Sequence, residues 1–129
     1  MMDVATAIRE IIQDDPRYTE AAYEFVFEAL QHTMRTLGRE GHVRGPELLE
    51  GARRHAIEQY GYLARTVLAN FGIHGCEDIG QVVFNLVQKG LMKKTDEDRL
   101  EDFHGGYDFE KAFEGDFRVD LDGTDLVQT

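Results

Sequence analysis

The chain predicts a mainly α-helical single domain, a compact bundle of about seven helices, on three observations. Apolar residues return every three or four positions through almost every segment from Asp3 to Phe113, the spacing that lines one face of an α-helix. Glycine and proline fall between those segments, at Pro16, Gly38, Pro46, Gly61, Gly72 and Gly90. A length of 129 residues with 42% hydrophobic content supports one core and needs no second one.

Asp3 is placed to cap a first amphipathic helix reaching Gln13, with Val4, Ala7, Ile8, Ile11 and Ile12 on its inner face. Asp14-Asp15-Pro16 ends it and starts the next, with Asp15 as cap and Pro16 in the first helical position. That second helix runs to Leu37, closed by Gly38, and its stripe of Tyr18, Ala22, Phe25, Val26, Ala29 and Leu30 reads as core. From Pro46, Leu48, Leu49, Ala52, Ala56, Ile57 and Tyr60 make a third helix, broken at Gly61. A short fourth, with Leu63, Ala64, Val67, Leu68 and Phe71, ends at Gly72.

Cys76 stands where a helix cap is expected, and the stretch Ile79–Leu91 that follows is the most apolar of all. Val82, Val83, Phe84, Leu86, Val87 and Leu91 cover more than half its circumference, so it is expected at the centre, covered from two sides. Its remaining strip, Glu77, Asp78, Gln81, Asn85, Gln88 and Lys89, is the part expected to face water, and Gly90 ends it by a left-handed cap. Leu91 to Lys94 reads as a short strand or an extended link. Thr95 then caps a further helix anchored by Leu100 and Phe103, with Asp98 in the reciprocal position of a capping box. Tyr107, Phe109, Ala112 and Phe113 anchor a last helix capped by Asp108. Residues 1–113 are thus expected to form the domain and residues 114–129 an acidic, mobile tail.

Composition removes several chemistries. The chain has no serine, so covalent catalysis would fall on Cys76, a threonine or a lysine. One cysteine excludes an internal disulfide framework and a multi-cysteine zinc site. Met1 to Gln13 lacks the basic start, apolar core and cleavage site of a signal peptide, and no apolar run nears the roughly 20 residues of a membrane span, so a cytoplasmic protein is expected. The formal charge of −11 sits mostly at the C-terminal end, where Asp96 to Thr129 holds twelve acidic and three basic residues. This argues against nucleic acid or an anionic membrane as the partner, because phosphate backbones are held mainly by lysine and arginine.

Against that acidity one basic cluster stands out. Gly38 to Gly45 carries three glycines with Arg39, His42 and Arg44, and Arg53 and Arg54 follow on the next helix. Glycine frees backbone amides to point at an anion near a helix start, although no Gly-Lys-Ser/Thr pattern is present and Pro46 offers no amide. Arg39, His42, Arg44, Arg53 and Arg54 therefore form the contact patch expected for an acidic or phosphorylated protein partner. The alternative is a solvated connector whose arginines pair with the chain's own acidic tail.

Four segments, DPRYTEAAYEFVFEAL, HVRGPELLEGARRHAIEQYGYLARTVLANFGI, DIGQVVFNLVQKGLMKKTDEDRLEDF and YDFEKAF, resemble a family of uncharacterised bacterial proteins found mainly in planctomycetes and verrucomicrobia. The resemblance spans roughly Arg9 to Phe113 and implies a stand-alone cytosolic domain, with no activity attached. Two positions depart from the family's pattern: Tyr62 replaces a proline and Cys76 a hydroxyl-type cap.

Two sharper readings compete with an interaction module. The order from Phe71-Gly72 through Asp78-Ile79-Gly80 to Gly90-Leu91-Met92 parallels a winged helix-turn-helix. The apolar helix would then enter the major groove, Gln81, Asn85, Gln88 and Lys89 would face the DNA, and the residues after Leu91 would form a wing with minor β structure. That wing carries Asp96, Glu97, Asp98, Glu101 and Asp102, which denies it electrostatic footing. A small metal- or histidine-dependent enzyme would draw on His42, His55, His74 and His104, yet no two histidines stand three or four residues apart and no HExxH is present. Asp96 to Asp102 lacks the glycine and terminal glutamate of a calcium loop, and Val119 to Thr124 mimics a phosphatase DxDGT motif without the α/β domain such a motif serves. The expectation is a non-catalytic cytosolic protein-interaction module, without cofactor or metal.

Overall fold

The computed structural model describes residues 3–38, 43–92, 106–109 and 111–115. Among them are five α-helices and no strand: α1 Val4–Asp14, α2 Glu20–Leu37, α3 Gly45–Tyr60, α4 Ala64–Phe71 and α5 Cys76–Gln88. A 3-10 turn, Gly61–Leu63, joins α3 to α4, and a single π-type turn covers Lys111–Gly115. The fold is mainly helical as expected, with five α-helices rather than about seven among the described residues. The expected helix around Leu100 and Phe103, and any wing, fall outside those residues. The last expected helix is one turn, which Asp108 caps: its Oδ1 accepts the Lys111 N–H at 3.3 Å and its carbonyl the Ala112 N–H at 2.8 Å.

Local chemistry sets several ends where the sequence predicts them. Asp3 Oδ1 accepts the Thr6 N–H at 2.7 Å and starts α1, while Gly38 and Gly72 close α2 and α4 in the left-handed conformation. Two caps differ. Thr19, not Asp15, caps α2, its Oγ1 accepting the Ala22 N–H at 3.3 Å. Asp15 is spent elsewhere: Arg17 grips it through Nε and Nη2, each at 2.7 Å, and holds its carboxyl well below the usual range. Gly75 rather than Cys76 caps α5, which leaves Cys76 in the first turn with its side chain in the core.

The centre of the bundle is α2, not α5. α2 packs against α1, α3, α4 and α5, which no other helix does. Its inner positions Ala22, Ala29 and Thr33 are short enough for neighbouring backbones to approach, while Tyr23, Phe25 and Val26 fill the spaces between them. The closest approach is to α3, where a Cβ on Gly51 would overlap the Thr33 hydroxyl, itself donating to the Ala29 carbonyl at 2.7 Å. α5 is covered over a narrower arc than its apolar residues span, so Phe84 stays 40% exposed; Leu63, in the turn before α4, is 49% exposed.

Most of the polar strip of α5 is a docking seam, and only Glu77 and Gln88 of it are exposed as expected. Asp78 accepts the Tyr18 hydroxyl at 2.6 Å and the His74 N–H at 2.9 Å. Asn85 Nδ2 donates to Asp15 Oδ2 at 3.0 Å and to the Tyr23 hydroxyl at 3.1 Å, and Asn85 Oδ1 accepts from Gln81 at 3.1 Å. Lys89 reaches Glu10 of α1 at 2.6 Å. The connector 15–19 is thereby fastened to α5, while the Thr19 N–H donates to the Phe71 carbonyl at 3.1 Å. Arg17's carbonyl lies so near Gly72 that no side chain fits there.

Gly51→Ala should therefore destabilise the fold by about 1–3 kcal/mol through overpacking of the α2–α3 crossing, read as a lower denaturant midpoint. Adding Thr33→Ala should recover part of the loss. A Gly51→Ala protein as stable as the parent would mean that the two helices do not meet as described.

Candidate functional site

The α2–α3 crossing leaves an open groove of about 490 Å³ beside it, lined by His32 and Thr36 from α2 and by Arg53, Arg54, Ile57 and Glu58 from α3. The two arginines share an acid one turn back, Glu50. Arg53 donates through Nε to Glu50 Oε1 at 3.1 Å and through Nη2 to Oε2 at 2.9 Å, and Arg54 Nε reaches Oε2 at 2.8 Å. Arg53, with Arg54 adding to it, holds the Glu50 carboxyl down to about 2. Both spacings are helical neighbours, so the α3 backbone alone brings the three side chains together.

Beneath this wall His55 is buried in the seam, its Nε2 3.2 Å from Glu28 Oε1. Its ring lies against Phe25 at 5.7 Å and His32 at 5.6 Å between centroids. Glu28 and His32 share one face of α2 at a spacing of four residues, and the crossing carries His55 to them. Among the described residues, no three His, Cys, Asp or Glu side chains are arranged to hold a metal ion. The Thr36 hydroxyl donates its proton to the His32 carbonyl at 2.9 Å.

The structure gathers part of the expected basic patch. Arg53 and Arg54 come together in the groove wall. Arg44 caps α3 from its other end, roughly 14 Å away at 1.5 Å per residue, where its backbone N–H donates to Glu47 Oε1 at 2.9 Å. Arg39 and His42 lie outside the described residues, as does His104. Of the face proposed to read DNA, Gln81, Asn85 and Lys89 are tied into the α5 seam, and Gln88 is exposed. Sequence reasoning overlooked His32, Glu28, Thr36 and Glu50. Glu50 with Arg53 and Arg54 could have been read from helical spacing, whereas His32 gains meaning only beside His55.

Cys76 belongs to another place. Its buried thiol donates to the Tyr107 carbonyl at 3.5 Å, and burial pushes its pKa up, so it carries less thiolate than an exposed cysteine. The segment lying over it is pinned by the Tyr107 hydroxyl, which donates to the Leu49 carbonyl at 2.8 Å, and by the rings of Phe109 and Phe113, 5.0 Å apart.

Two outcomes follow. The folded value of Glu50 lies below that of a free glutamate, so its stabilising contribution is complete above the ordinary glutamate range and is lost as pH falls toward about 2. A carbon-13 titration of the Glu50 carboxylate should find that low midpoint, with Arg54→Gln raising it and Arg53→Gln raising it further. Cys76 should resist a thiol-disulfide reagent in the native protein and react at once in denaturant, and fast native reaction would contradict its burial. No protein-family model, curated protein or solved structure matches this chain.

Proposed function

We propose that this chain is a non-catalytic cytosolic protein-interaction module that takes an acidic partner in the α2–α3 groove. The observation that carries the reading is the paired Arg53 and Arg54, set in fixed geometry by Glu50 on the wall of an open groove in a chain of net charge −11. Among the described residues, the groove lining supplies donors from arginine and histidine, and Cys76 is buried away from it. Recognition suits such a lining better than bond-making does. Among the described residues no helix is long and apolar enough to cross a membrane. The DNA-binding alternative draws less support, because most of the helix face it requires is engaged in hydrogen bonds within the bundle.

The test is affinity capture from native lysate, with and without nuclease, comparing the parent with Arg53→Glu/Arg54→Glu and checking that both give the same circular dichroism. Nuclease-resistant, stoichiometric protein partners should be captured by the parent and lost from the variant. Partners that vanish on nuclease treatment, or that the variant keeps, would sink the proposal.

A further inference from the structure

We infer that the α2–α3 groove is a site for a phosphorylated side chain, and that Glu50 occupies its guanidinium forks until that group displaces it. The inference rests on the interaction reading above and names the chemistry of the partner. Three observations lead to it.

Glu50 is bound as a ligand would be. Arg53 presents two N–H groups side by side to both carboxylate oxygens, the geometry by which arginine holds carboxylate or phosphate, and Arg54 adds a third. The carboxylate is also easily released: it is 46% exposed and lies within one helical turn, so on displacement it turns into water and leaves no buried charge behind.

The opposite wall has more to offer than a carboxylate can use. His32 and Thr36 line the groove across from the arginines; the Thr36 hydroxyl donates its proton to the His32 carbonyl, and the His32 ring carries an N–H to donate. A carboxylate has two oxygens and one charge, whereas a phosphomonoester has three terminal oxygens and about −1.5 to −2 charges at neutral pH. Phosphate can therefore take the arginines from Glu50 and still reach the α2 side.

The lining selects the carrier. Ile57 gives an apolar surface for the stem of a side chain, while Glu58 puts a negative charge in the same groove. A single phosphate among neutral residues tolerates that charge. A polyphosphate or nucleic-acid backbone meets it together with the acidity of the whole chain. The occupant is thus a phosphorylated segment of a protein.

The experiment titrates phenyl phosphate into the full chain and follows the arginine Nε–H and histidine ring resonances. Shifts should centre on Arg53, Arg54 and His32. Glu50→Gln should tighten binding roughly tenfold by removing a competitor that both arginines share, and Arg54→Gln should weaken it by about the same factor, the worth of one charge-assisted hydrogen bond. Arg54 is 59% exposed, so its substitution leaves the core alone, and the amide spectrum verifies this. Binding no tighter in Glu50→Gln than in the parent, or shifts away from Arg54, would overturn the inference. So would a 5′-phosphorylated oligonucleotide that binds more tightly than a phosphoserine peptide of matched length. Loss of captured partners from Arg53→Glu/Arg54→Glu, with no phenyl phosphate bound at Arg54, would refute the phosphate site and keep the interaction reading. Phenyl phosphate bound there, with partner capture unchanged by the charge reversal, would refute the interaction reading and keep the anion site.

Discussion

How near α2 and α3 can come is the constraint on which the rest of this structure depends. Gly51 against Thr33, flanked by Ala29, Ala52 and Ala56, leaves no room for a larger side chain at the crossing, and packed interiors yield little to such an intrusion. The short distance brings His32 and Thr36 opposite Arg53, Ile57 and Glu58 as the two sides of one groove. It also presses His55 between Phe25 and His32, within reach of Glu28.

A second constraint is that polar groups drawn into the bundle need partners. Tyr18 and Tyr23 are fully buried as residues, and desolvation pushes the pKa of each hydroxyl up. Asp78 accepts the hydrogen bond of the Tyr18 hydroxyl, and Asn85 donates one to the Tyr23 hydroxyl. Because Asn85 also holds Asp15, and Arg17 holds Asp15 from the solvent side, the connector between α1 and α2 becomes a bracket across α5. An amide serves here because its nitrogen carries two N–H groups, so Asn85 donates to a tyrosine and an aspartate at once while its oxygen accepts from Gln81. Residues that suit the reading of base edges serve the same purpose inside a protein.

Charge is arranged with similar economy. Acidic residues outnumber basic ones by eleven, yet the arginines of α3 are concentrated around one glutamate at helical spacing. An exposed ion pair of this kind adds little to stability, since solvent screens it. Its significance is geometric, because it keeps two guanidinium groups ordered at the mouth of a groove.

By itself the sequence determined the helices, their order and many of their ends. Period and punctuation act within one or two turns of the backbone: Asp3 caps its own helix, Gly38 and Gly72 end theirs, and Asp108 starts the last turn, whatever lies around them. The Glu50, Arg53 and Arg54 cluster is legible on the same ground. Tertiary structure decided which helix lies at the centre, which polar residues meet water and which side chains share a site. The width of the apolar arc on α5 does not say what covers it, and Asp15, gripped by Arg17 close by, is also bound by Asn85, seventy residues away. His32 and His55 carry no joint signal in the chain, because only the packing of two helices through Gly51 sets their rings 5.6 Å apart. Local hydrogen bonding is written into neighbouring residues, whereas the partner of a buried polar group is chosen by whichever distant segment the packing brings beside it.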